Sequence, residues 1–235
     1  MGILRLSIIL SVTLLVSSCK NEAPNKVADT KGSDKVKTLE AEQKTDLKRF
    51  GIDDKPGNVL GGLKVGDKAP DFTLKDSENK AINLYDLTSG GPAILTFYRA
   101  HWCGYCTKQL AEFQSELEGL SSDGISVLAI SPELQKHARL MAKENHISFP
   151  ILFDENHDVA KAYKVLFHVN QMYQDRLESA AQKSIAKVNG DLEAKMPIPA
   201  TYVIGQDNTI KYVYYNPDYS QRAPMAEIKK TIKGL

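Results

Sequence analysis

Cysteine is scarce in this 235-residue sequence: it occurs three times, and only Cys103 and Cys106 fall where folded-domain patterning is found. Structural zinc needs four ligands, and the five histidines (His101, His137, His146, His157 and His168) form no ligand-spaced pair to complete such a site. Neither a metal nor any other cofactor is expected. A surplus of one charge is also missing, since 30 basic side chains stand against 29 acidic ones for a net charge of +1. No field of one sign exists to gather nucleic acid or to hold anionic lipid through a basic surface. The N-terminal apolar run, Leu6 to Val16, is too short for a bilayer span, and the chain is too short for two ordinary domains.

What is present begins at that run. Arg5 followed by Leu6 to Val16 has the make-up of a secretion signal. It closes on "VSSC", which resembles the lipobox of bacterial lipoproteins, where the cysteine is acylated and becomes the mature N-terminus. Residues 1–18 are then a lipoprotein signal peptide and Cys19 a lipid anchor, placing the protein outside the cytoplasm, membrane-anchored and facing the periplasm or cell envelope. A plain signal peptide with an incidental cysteine would leave an unpaired exported thiol to explain. From Lys20 to about Asn58 charged and amide residues dominate, with too few apolar ones to offset the entropy of ordering the backbone. Residues 19–63 are therefore expected to be a flexible tether, with "GNVLGGLKVGD" as the hinge into a domain over 64–235.

After Gly66 short apolar runs alternate with helical stretches, the pattern of an α/β domain. Strands are expected at 72–74, 93–98, 126–130, 149–153, 201–204 and 210–214. The clearest helix follows the cysteines: Cys106, Leu110, Phe113, Leu117 and Leu120 recur at steps of four and three and share one face. Cys103 sits at the strand-to-helix junction, where unpaired N–H groups and the helix dipole favour a thiolate. Cys106, one turn inward on the apolar face, is expected to be sheltered. One thiol attacks and the other resolves. A bridge over so small a loop restricts the unfolded chain little, which makes it a poor staple but a suitable redox couple.

Three stretches, "VGDKAPDFTL", "GPAILTFYRAHWCGYCTKQLAEF" and "PIPATYVIGQDNTIKYVYYNPDYSQR", together resemble the peroxiredoxin-like branch of the alkyl hydroperoxide reductase and thiol-specific antioxidant family. The resemblance runs from about Lys64 to the C-terminus. It implies a thioredoxin fold: a central mixed sheet flanked by helices on both faces, with a helical insertion before the strand that opens on a cis-proline, here Pro199. In the peroxiredoxin register, Cys106 takes the place of the peroxide-attacking cysteine, Cys103 that of a threonine, Arg99 that of a proline, and Pro199 that of an arginine. In the thioredoxin register "AHWCGYC" makes Cys103 the nucleophile and Trp102 its shield, while Phe97 stands where thioredoxins bury a carboxylate. Arg99 or Arg222 is expected to replace the missing cation. The activity implied is thiol peroxidase chemistry on hydroperoxides through a C-x-x-C dithiol/disulfide cycle, with an external thioredoxin-like thiol as electron donor. The alternatives are a thioredoxin-like reductase of protein disulfides and a tethered binding module with an inert bridge. His168, Tyr173 and Arg176, in the stretch before Pro199, are expected to be packing or solvated residues rather than site residues.

Overall fold

The computed structural model describes residues 47–235. In chain order they form β1 (Thr73–Asp76), β2 (Ala81–Asn83), α1 (Leu84–Gly90), β3 (Ala93–Phe97), α2 (Gly104–Ser122), β4 (Ser126–Ser131), α3 (Gln135–Glu144) and β5 (Ile151–Phe153). An insertion follows, with α4 (Asp158–Ala162), β6 (Leu166–His168), α5 (Gln171–Ala181), α6 (Ile185–Asn189) and β7 (Lys195–Pro197). The chain then returns through β8 (Ala200–Ile204), β9 (Ile210–Tyr215) and α7 (Met225–Ile232).

Seven strands make one mixed sheet in the order β2-β1-β5-β4-β3-β8-β9. Two interior neighbours, β3 and β8, are buried along every residue, which is why these strands appear in sequence as continuous apolar runs rather than alternating ones. Alternate side chains feed two cores. Leu95, Phe97, Leu128, Ile130 and Tyr202 pack on one face, and Ile94, Tyr98, Val127, Ala129 and Val203 on the other, with Leu110 and Phe113 of α2 and Ile228 of α7. The thioredoxin-like α/β fold is therefore the observed one, and the expected stripe on α2 is buried from Cys106 to Leu120, with Leu117 partly covered.

The insertion holds more than helices. β6 and β7 pair antiparallel, Phe167 opposite Met196, in a separate two-stranded sheet. Strands of three residues show no periodicity to read. The tether expectation also changes, because residues 47–63 are folded onto this insertion. Ile52 bridges Val169 and Val59 bridges Leu166, while Leu47 and Leu60 pack against the cluster of Ile52, Phe167, Val169, Tyr173 and Met196. Too sparse to build a core of their own, these apolar residues complete one that the insertion leaves open. The signal segment, Cys19 and the first part of the tether lie outside the described residues.

Candidate redox site

Ala200 pairs with Phe97, so the loop leaving β3 and the residues preceding β8 emerge at the same end of the sheet. Pro199 is buried there, between Ala200 and Ile198, whose N–H donates to the Val165 carbonyl at 2.7 Å. On the loop, the Cys103 amide turns back to the Ala100 carbonyl at 3.0 Å and Cys103 becomes the N-cap of α2. Its sulfur accepts the Cys106 amide at 3.3 Å, the capping role usually filled by a Ser, Thr or Asp oxygen. Cys103 and Cys106 are joined as a disulfide with Cα atoms 5.2 Å apart. Their expected difference in exposure is not found: Cys103 is 2% exposed and Cys106 fully buried, because Trp102 and the first turn of α2 pack around both.

What distinguishes the two sulfurs is their donors. Arg99, itself 4% exposed, points Nη2 at Cys103 Sγ from 3.4 Å. Arg222 places Nη2 3.3 Å from Cys106 Sγ and 3.8 Å from Cys103 Sγ. Both arginines expected to supply a cation are thus at the sulfurs, one from the loop after β3 and one from the segment before α7. Among the described residues neither belongs to an ion pair, and the Nε of each, like the Trp102 indole N–H, has no hydrogen-bond partner. Burial, and next the Arg99 charge, pull the Arg222 guanidinium down to about 10, so it remains cationic at neutral pH. Arg99 is held instead by aromatic groups. Its Nη1 donates to the Tyr173 hydroxyl at 2.6 Å, and its guanidinium carbon lies 3.7 Å from the Tyr219 ring centre and 5.2 Å from that of Trp102.

The proton-handling carboxylate missing at Phe97 has no replacement on β3, where Phe97 is core. A buried carboxylate does lie beside the loop, just past the end of the neighbouring strand. Glu133, just after β4, accepts from the Tyr98 hydroxyl at 2.6 Å and from the His101 amide at 2.9 Å, with His101 Nδ1 2.7 Å from the same oxygen as the amide. Burial first, and then Glu133, hold the Tyr98 phenol well above its usual range. An acid directly behind the apolar run in "AISPE" was the available signal for Glu133. Tyr173 also proved to be more than packing, whereas His168 meets Asn58 and Glu193, and the Arg176 guanidinium carbon lies 5.0 Å from the Tyr173 ring centre. A groove of about 410 Å³ opens beside Arg222, with Tyr105, Lys108, Gln109, Glu112 and Pro224 in its lining. Chemically, an N-cap position and two desolvated cations favour a thiolate over a thiol once the bridge is reduced.

Comparison with known proteins places this arrangement. The model of the AhpC/TSA family matches residues 65–213. Chloroplastic peroxiredoxin Q of Triticum aestivum is 29% identical over 177 residues, which cover 75% of this chain and 69% of that protein. The chloroplastic peroxiredoxin Q of Sedum lineare is 27% identical over 178 residues, 76% of this chain and 81% of that one. Among solved structures, peroxidoxin BcpB from Mycobacterium tuberculosis superposes with a TM-score of 0.58 at 22% identity, covering 74% of this chain and 98% of that one. A cysteine mutant of PrxQ from Xylella fastidiosa gives 0.56 at 18% identity, covering 74% and 96%. These structural matches establish the fold.

Proposed function

The chain belongs to the AhpC/TSA family and is an oxidoreductase of the peroxiredoxin type, and on that premise we propose that it reduces hydroperoxides through a dithiol/disulfide cycle of Cys103 and Cys106. In this reading the Cys103 thiolate attacks the distal peroxide oxygen. The O–O bond breaks, the alkoxide leaves as an alcohol after taking a proton, and Cys103 becomes a sulfenic acid. Cys106 condenses with it, expelling water and closing the bridge. An external thioredoxin-like dithiol returns two electrons to the disulfide. The observation that carries the choice of Cys103 is its set of donors: the Cys106 amide and Arg99, with Arg222 slightly farther, against Arg222 alone at Cys106.

The family register favours the opposite order, with Cys106 attacking, and the C-x-x-C spacing with buried Pro199 favours a second reaction class, reduction of protein disulfides. Stopped-flow oxidation of the reduced protein by hydrogen peroxide, compared with oxidation by a protein disulfide, separates these. Rapid, second-order closure of the Cys103–Cys106 bridge by peroxide supports the peroxidase. Closure by the protein disulfide alone assigns the reductase, and a bridge resistant to mild dithiol leaves only the inert module. The site of action completes the proposal: Cys19 as an acylated anchor would hold the enzyme on a membrane, facing the periplasm or cell envelope.

A further inference from the structure

Residues 47–53 precede the span matched by the family model, yet they touch the supports of Arg99. Gly51 has φ +92°, and a Cβ on it would fall 2.8 Å from Tyr173 Cγ, so the ring lies against backbone that only glycine presents without strain. The same corner is closed by hydrogen bonds. The Asn170 amide donates to the Gly51 carbonyl at 2.8 Å, the Asn170 side chain donates to the Lys48 carbonyl at 2.8 Å, and its Oδ1 caps α5 by accepting the Tyr173 amide at 2.9 Å. Phe50 meets Tyr219 edge-on at 6.2 Å. Tyr173 and Tyr219 are the hydrogen-bond acceptor and the closest ring face of the Arg99 guanidinium.

This is an unusual way to hold a buried cation. A carboxylate would hold it more tightly but would cancel its field at the sulfur, whereas a neutral phenol and ring faces fix its position and leave the charge directed at Cys103. The geometry points to residues 47–53, an N-terminal arm, as part of the active site: Phe50 and Gly51 are positioning residues that act through Tyr219 and Tyr173 to keep Arg99 beside Cys103. The inference rests on the reading of Cys103 as the redox nucleophile. It goes beyond that reading by giving a catalytic consequence to a segment outside the family-matched fold. The arm can act in this way because it is packed, not loose: Ile52 is buried and bridged to Val169.

The test measures, in reduced full-length protein, the pH profile of Cys103 alkylation assigned by mass spectrometry, together with the rate of oxidation by hydrogen peroxide. Gly51→Ala pushes the Tyr173 ring away, and Tyr173→Phe removes only the hydroxyl and keeps the packing. Each is expected to raise the apparent pKa of Cys103 by about half a unit or more, about threefold less thiolate at a pH below it, and to slow oxidation to match. Gly61→Ala is the control. It strains the chain ten residues on, at φ +111°, where its Cβ would meet nothing within 4 Å. It is expected to cost stability without moving the Cys103 profile. A folded Tyr173→Phe protein with an unchanged profile would overturn the inference, as would a Gly61→Ala shift as large as that of Gly51→Ala. If the profiles shift as expected while the wild type ignores peroxide, the positioning role stands and the peroxidase reading falls.

Discussion

Cys103 and Cys106 lie three residues apart in sequence and share Arg222, but only Cys103 also has Arg99 and a backbone amide at its sulfur. Cys103 caps α2 and stands within 3.4 Å of Arg99, so its thiol is expected to titrate below the ordinary value of ~8.5. Replacement of Cys103 by serine should abolish peroxide turnover, while Cys106→Ser should leave a sulfenic acid on Cys103 that a sulfenate-specific probe traps and mass spectrometry locates. A trapped adduct on Cys106 in the Cys103→Ser protein would reverse the two roles. Arg222 adds a pH limit of known sign. Its guanidinium is a base pulled down to about 10, so its charge is present below that value and lost as pH rises through it. Its contribution to the Cys106 thiolate should therefore be constant through neutral pH and decline above about 10. Arg222→Gln should remove that alkaline decline from the pH profile of bridge re-reduction.

At the scale of elements, Glu133 fastens the loop between β3 and α2. Its two oxygens take the Tyr98 hydroxyl, the His101 amide and the His101 ring, with Glu133 and Tyr98 buried and His101 half-buried. Glu133→Ala leaves the buried Tyr98 hydroxyl without its acceptor, at about 1–3 kcal/mol, and the half-buried His101 amide at a smaller cost, and should lower the urea midpoint accordingly. Glu133→Gln retains an acceptor for one of them and should cost less. An unchanged midpoint in Glu133→Ala would show that water replaces the carboxylate. The stripe on α2 could be read from sequence because helical period and burial coincide there. β6 and β7 could not, since three-residue strands carry no period and their pairing joins positions nearly thirty residues apart.

For the whole molecule, the folded part begins earlier than composition suggests. Residues 47–63 have the polar make-up of a linker, yet Ile52 and Leu63 are buried. The rest of the expected tether lies outside the described residues. If Cys19 is the proposed lipid anchor, Cys19→Ala should release the protein from the membrane fraction with peroxide turnover unchanged, since anchor and arm are separated along the chain. Retention of that variant in washed membranes would refute the anchor. The arm imposes the complementary expectation that truncation past residue 53 cannot be silent, because it removes the backing of Tyr173.

The sequence by itself determined the class of fold, the positions of the central strands along the chain, the buried face of α2 and the position of a dithiol at that helix's start. Each of these is a local pattern of apolar spacing or a short motif, and each is decided by residues near in the chain. Tertiary structure alone decided which cations reach the sulfurs and what holds them. Arg222 meets Cys106 across a separation of 116 residues, and Tyr173 meets Arg99 across 74. Those approaches depend on the register of β3 with β8 and on how the arm and the insertion close over the sheet's end. No periodicity in the chain encodes such a meeting of loops; it exists only once strands distant in sequence have paired.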